Sequence, residues 1–231
     1  MLDSAALLDL YQQGRAADAL TRAGLLGRLV AGDGDEAGDE AGALSLAELD
    51  RRIWALHRQL AGSGPSEAVG SCPACGARLE FSLPGDFAPP AAPEHPAEPV
   101  AVAWRGESYL LRLPRLADFG PEGLRPENLG AAPWQDPEFT AHAAEALRAA
   151  DPALALSLAM NCPECGAALD EIFDPVAFLW AEIEDMARDL LREVIGLARA
   201  FGWSEAEILA MPRPRRLLYL AELAEPMEEV P

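Results

Sequence analysis

The chain has 231 residues, half of them hydrophobic, which is enough for one large domain or two small ones with a real core. Its formal net charge is −20, from 38 acidic residues against 18 basic ones that are all arginine, and a surface of that sign repels phosphate backbones and argues against a nucleic-acid binder. No apolar run reaches the ~18–20 residues that cross a bilayer, and Met1-Leu2-Asp3-Ser4 lacks the basic start and apolar core of a secretory leader, so a soluble, cytoplasmic protein is expected.

In chain order the periodicities predict an α+β fold with three regions: helical residues 1–62, a β-rich stretch over 66–173, and helices over 174–224. Leu7, Leu10 and Tyr11 share one helical stripe, Leu20, Leu25, Leu26 and Leu29 another, and Gly14 divides them. The acidic, glycine-rich stretch 32–42 reads as a solvated linker. A calcium loop is the sharper alternative, but the stretch lacks the alternating Asp ligands and terminal bidentate Glu of an EF-hand. Ser45 and Glu48 form a capping box for a helix through Leu49, Ile53, Leu56 and Leu60. His57 lies beside that stripe, which predicts an edge or surface position. Gly62-Ser63-Gly64-Pro65 closes the helical region.

All the cysteines then fall in two copies of one motif, Cys72-Pro73-Ala74-Cys75-Gly76 and Cys162-Pro163-Glu164-Cys165-Gly166. A Cys-x-x-Cys turn lets two sulfurs converge on one metal, the proline stiffens the turn, and the glycine permits the positive φ of a sharp return. Cys72, Cys75, Cys162 and Cys165 are therefore the expected ligands of one structural zinc. Strand-like residues flank both turns, so each is expected at the tip of a β-hairpin, as in a zinc ribbon. The interval 76–161 is far longer than the ~15–20 residues of a compact ribbon, and must fold as an insertion. Two separate redox dithiols, or disulfides in an exported protein, are the rival readings. A thioredoxin-like motif needs a βαβ context that the flanks do not offer.

Within the insertion, the proline-rich stretch 84–99 is expected to loop out, carrying His95 with it. Val100, Val102 and Trp104 alternate, Arg105-Gly106-Glu107 turns, and Tyr109, Leu111 and Leu113 alternate in reply, which predicts a hairpin. Residues 118–128 have little periodicity. Asp136 caps a helix over 136–150 that starts on Pro137 and carries His142, for which no ligand partners are visible.

Asp174-Pro175 starts a long helix on which Val176, Leu179, Ile183, Met186, Leu190, Val194, Leu197 and Phe201 recur. Gly202 ends it. Ser204 and Glu207 form a second capping box, Pro212 breaks the short helix that follows, and Arg215 to Ala224 makes the last one. Trp180, Phe201 and Trp203 are expected as packing residues.

The run Phe178-Leu179-Trp180-Ala181-Glu182-Ile183, then Leu190-Leu191-Arg192-Glu193-Val194, Ala200-Phe201-Gly202-Trp203-Ser204-Glu205-Ala206-Glu207-Ile208-Leu209 and Arg215-Arg216-Leu217-Leu218-Tyr219-Leu220 resembles the C-terminal signature of the T-even-type phage baseplate protein family. The resemblance is close from Cys162 to Leu223 and loose over most of the rest. The chain departs from that pattern at Ile195 and at Met211-Pro212-Arg213-Pro214. The resemblance implies an N-terminal helical segment, two Cys-x-x-Cys knuckles around a β insertion, a helical tail, and a structural role among the baseplate or hub proteins of contractile, phage tail-like particles. With four cysteines closing the metal shell and no nucleophile beside a base, no enzymatic activity is expected. A zinc-ribbon adaptor in transcription or nucleic-acid handling is the alternative, against which the charge weighs.

Overall fold

The computed structural model describes residues 2–31, 41–62, 64–94 and 98–224. The acidic stretch 32–40, with the calcium-loop alternative, and His95 lie outside the described residues. The chain divides into two compact units, one of residues 18–179 and one that joins residues 1–17 to 180–231.

The larger unit opens on α2 (Ala19–Ala31) and α3 (Leu46–Ala61), which starts where expected, with Ser45 Oγ accepting from the Glu48 amide at 3.2 Å. Among the described residues its strands form four separate two-stranded antiparallel sheets: β1 (Ser66–Ser71) with β2 (Arg78–Leu83), β3 (Val100–Trp104) with β4 (Glu107–Leu111), β5 (Phe119–Gly120) with β6 (Gly123–Leu124), and β7 (Ser157–Asn161) with β8 (Ala168–Ile172). The last pair but one fills part of the stretch that had little periodicity. Helix α4 (Pro137–Ala150) is capped by Asp136, whose Oδ1 accepts from the Glu138 amide at 3.0 Å.

The inserted hairpin β3–β4 forms where alternation predicted one, with Val102 opposite Tyr109, but Glu107, expected in the turn, already pairs with Trp104, and the second strand ends at Leu111. Arg105 and Gly106 both have positive φ, 49° and 89°, the twist a two-residue connection needs between right-twisted strands. A left-handed arginine is unusual. Its guanidinium reaches Asp136 at 3.1 Å and Glu138 at 3.0 Å and lies 5.0 Å from the centre of the Trp104 ring, contacts that offset the strain. This hairpin packs on α4 in its own core, in which Val102, Leu111, Phe139 and Ala143 are almost wholly buried.

A second core gathers aromatic rings. Trp54 on α3 meets Phe87, Phe173 and Phe178 at 5.1–5.6 Å, and its Nε1 donates to the Phe87 carbonyl at 2.8 Å. The proline-rich segment is therefore anchored at Phe87, although its described residues before Val100 form no ladder. His57 corrects the expectation of an edge position: it is 0 % exposed, stacked 4.3 Å from Trp54, with Nε2 3.4 Å from the Ser66 hydroxyl. One turn past Trp54, its ring behaves as one more aromatic, and Ser66 supplies a polar partner where β1 begins.

Helix α5 (Pro175–Phe201) begins in this unit, where Asp174 Oδ1 accepts from the amides of Val176 and Ala177 at 2.9 and 3.0 Å. That carboxylate raises the pKa of Asp50 on α3. Burial first, and then the Asp174 charge, outweigh Arg51 and push Asp50 up to about 7. A carboxyl raised in the folded state binds an extra proton there, so stability falls as pH rises from about 4 to about 7 and is then flat. Asp50→Asn is expected to remove that slope and to add about 2 kcal/mol at pH 8, after allowance for its partial exposure. Urea titrations at pH 5 and pH 8 check it; an unchanged slope would overturn it.

The smaller unit holds α1 (Ser4–Gly14), most of α5, α6 (Glu205–Leu209) and α7 (Arg213–Ala224). Leu190, Val194, Leu197 and Ile208 form its core, with Leu7 and Leu8 of α1 and Tyr219 and Leu220 of α7 packed against it. Gly14 is required at the end of α1, since a Cβ there would overlap the Trp180 ring. Trp180 is buried as expected, while Phe201 stacks on Trp203 at 4.5 Å yet stays exposed. The predicted capping box opens α6: the Ser204 amide donates to Glu207 Oε2 at 2.8 Å and Ser204 Oγ accepts from the Glu207 amide at 3.3 Å. The final helix starts two residues before the expected Arg215, because Pro212 already supplies the break and Pro214 is tolerated in a first turn.

Among the described residues, no helix is long and apolar enough to cross a membrane.

Candidate metal centre

Each cysteine turn is built by the same local bonds. In the first, the Gly76 amide donates to the Cys72 carbonyl and the Cys72 amide to the Ala77 carbonyl, both at 2.8 Å; in the second, Gly166 to Cys162 and Cys162 to Ala167 repeat the pattern at 2.9 Å. Gly76 and Gly166 share φ +73°, the conformation that asks for glycine. The pairs Ser71–Arg78 and Asn161–Ala168 close the ladders beneath the turns. The two knuckles are thus conformational copies at the tips of β1–β2 and β7–β8.

The fold brings all four predicted ligands together. The sulfurs of Cys72, Cys75, Cys162 and Cys165 lie within 4.8 Å of one another, with Cys72 to Cys165 at 3.8 Å and Cys75 to Cys162 at 3.7 Å. A metal holding four thiolates at ~2.3 Å in a tetrahedron sets its sulfurs about 3.8 Å apart, whereas a disulfide needs ~2.05 Å. All four are free thiols, and the cluster could hold a metal ion. The first cysteine of each turn is buried and the second exposed. Leu79 and Leu169 pack beneath with Ala77, Ala167 and Met160, so the metal side of each hairpin is backed by apolar atoms.

Electrostatics favour a cation here. The backbone amides of Cys165 and Glu164 pull the Cys162 thiol down to about 7. At Cys75 the Ala77 amide acts in the same direction but is outweighed by the crowded thiols of Cys165, Cys72 and Cys162, which push it up to about 12. One thiolate forms readily, and further negative charge is resisted until a cation compensates it.

Among the described residues these four cysteines make the one group of His, Cys, Asp or Glu with metal-binding proximity. His57 is enclosed in the aromatic core, and His142 is exposed with Nε2 3.1 Å from the Ala103 carbonyl. The sulfur-directed amides of Glu164 and Cys165 were not anticipated, because backbone donors leave no mark in residue type. Leu79 and Leu169 did leave one, standing four residues after the second cysteine of each copy. Protein-family models, curated proteins and solved structures contain no match to this chain.

Proposed function

We propose that this chain is a non-enzymatic structural or assembly protein in the baseplate of a contractile, phage tail-like particle, assembled in the cytoplasm and folded around one structural zinc. The observation that carries the structural role is the donor set. Four thiols claim every position of a tetrahedral shell and leave none for water or substrate, which is the arrangement of a staple rather than of a reactive metal. Zinc suits four sulfurs at tetrahedral spacing, and the two hairpins then act as a zinc-ribbon-like clasp that joins segments distant in the chain. The baseplate assignment rests on the resemblance of residues 162–223, and the helices of the smaller unit are the natural surface for neighbouring baseplate or hub subunits. Capture of the tagged chain from a reconstituted tail gene cluster tests it. Co-purification of baseplate or hub proteins is the expected result. A chain that associates with none of them, or that binds DNA with an affinity falling steeply as salt rises, would overturn it.

A further inference from the structure

The cysteine cluster is half open to solvent. Cys72 and Cys162 are each 2 % exposed, while Cys75 and Cys165, the second cysteine of each turn, lie at the surface. The sulfur pairs at 3.7 and 3.8 Å each set an exposed thiol of one hairpin against a buried thiol of the other. A disulfide needs each pair only about 1.7 Å closer. The chain has four cysteines and all are in this cluster, so oxidation within the chain can join only its members.

Two further features favour links between the hairpins over links within a turn. At the far ends of the strands Leu83 and Phe173 are packed in the Trp54 core, which keeps the two tips near each other when no cation holds them. A bond within one turn closes a four-residue loop, whereas a bond between turns spans the interval 76–161 and constrains the unfolded chain far more. We propose that the cluster is a peroxide-sensitive clasp, converted reversibly by hydroperoxides from four metal-binding thiolates to two disulfides between the hairpins, Cys75–Cys162 and Cys72–Cys165. This rests on the metal-staple reading above and adds how the staple is released.

The chemistry begins at an exposed sulfur. The Cys75 thiolate attacks a peroxide oxygen: an S–O bond forms, the O–O bond breaks, the sulfur gives up two electrons and hydroxide leaves. The Cys162 thiolate then attacks the sulfenic sulfur, forming the S–S bond and expelling a second hydroxide, and Cys165 with Cys72 repeats the sequence. Four thiolates, two molecules of hydrogen peroxide and four protons become two disulfides and four waters. Disulfide sulfurs carry no charge to hold a cation, so the site empties while the hairpins stay joined.

The test uses the full wild-type chain, loaded with zinc, freed of reductant and titrated with hydrogen peroxide while a chromogenic dye reads released metal. About two equivalents of peroxide per metal should empty the site. In a brief reaction with iodoacetamide the loaded chain should be labelled at Cys75 and Cys165 at least about tenfold faster than at Cys72 and Cys162. After arginine-specific cleavage of the oxidised chain, residues 59–78 and 149–188 should appear as one joined pair, with fragmentation placing the bonds at Cys75–Cys162 and Cys72–Cys165. Dithiothreitol with zinc should restore four thiols and the metal. Bonds confined within each turn, bonds that join the two exposed thiols, sulfinic acids in place of disulfides, or equal labelling of all four cysteines would overturn the proposal. Metal that a chelator removes but peroxide does not would overturn the release and leave the staple standing. Freshly reduced protein that carries no metal would overturn both, a result read before any peroxide is added.

Discussion

Replacing Cys162 by serine is expected to abolish metal binding and to unfasten the two hairpins from each other. Structural zinc contributes on the order of 10–16 kcal/mol in small zinc domains, and a site that loses one of four thiolates forfeits a large part of that. The damage should be graded along the strands. At the tips, Cys72, Leu79, Cys162 and Leu169 are the buried residues that link the knuckles, so little but the metal offsets the repulsion among the sulfurs. At the far ends, Leu83 and Phe173 sit in the Trp54 aromatic core, which does not depend on metal. Hydrogen exchange should therefore accelerate over 70–79 and 160–169, while β3–β4 and α4 keep their protection. Elemental analysis of freshly purified, reduced protein should find one zinc per chain, and chelation of the wild-type chain should reproduce the exchange pattern of Cys162→Ser. Protein that carries no metal and whose melting is indifferent to chelator would sink the staple. Iron at the same stoichiometry would keep the staple and overturn the zinc assignment.

The knuckles were legible because their signals are local. Cysteine, proline and glycine at fixed offsets specify a turn whatever surrounds it, and Val102, Tyr109 and Leu111 specify a hairpin by alternation alone. That the two turns meet is not a local fact. It was readable because the chain offers these thiols no partners but each other. His57 shows where such reading stops. Its helical position lies beside the stripe, but Phe87, Phe173 and Phe178 arrive from segments distant in sequence and enclose it. Likewise the helical stripe of α1 says that Leu7 needs covering, and only tertiary pairing makes the C-terminal helices cover it, and Leu8 beside it. The strands follow the same rule: three of the hairpins were visible, the two-residue strands β5 and β6 are too short to leave a periodicity, and the division into separate sheets with separate cores was not readable.

Removing the Glu193 carboxylate should strongly destabilise the smaller unit. Arg216 is 2 % exposed, and its Nε donates to Glu193 Oε2 at 2.8 Å while one terminal nitrogen donates to the Met211 carbonyl at 2.7 Å. The pair fixes α7 on α5 at the point where Pro212 turns the chain. Glu193→Ala leaves a guanidinium buried without its counter-charge, a loss expected to cost about 3–5 kcal/mol. Glu193→Leu combined with Arg216→Met removes both charges at similar volume and should recover most of the loss, because the desolvation penalty disappears with the attraction. Arg213, 3.3 Å from the other oxygen, is largely in water, and Arg213→Ala should cost no more than about 1 kcal/mol. The chain has two compact units and need not unfold in one step, so amide exchange along 213–224 reads the effect more directly than a global melt. If Glu193→Ala left that exchange unchanged, the ion pair would not be what holds α7. If the double change recovered none of the loss, the buried guanidinium left without its counter-charge would not be what the single change exposes.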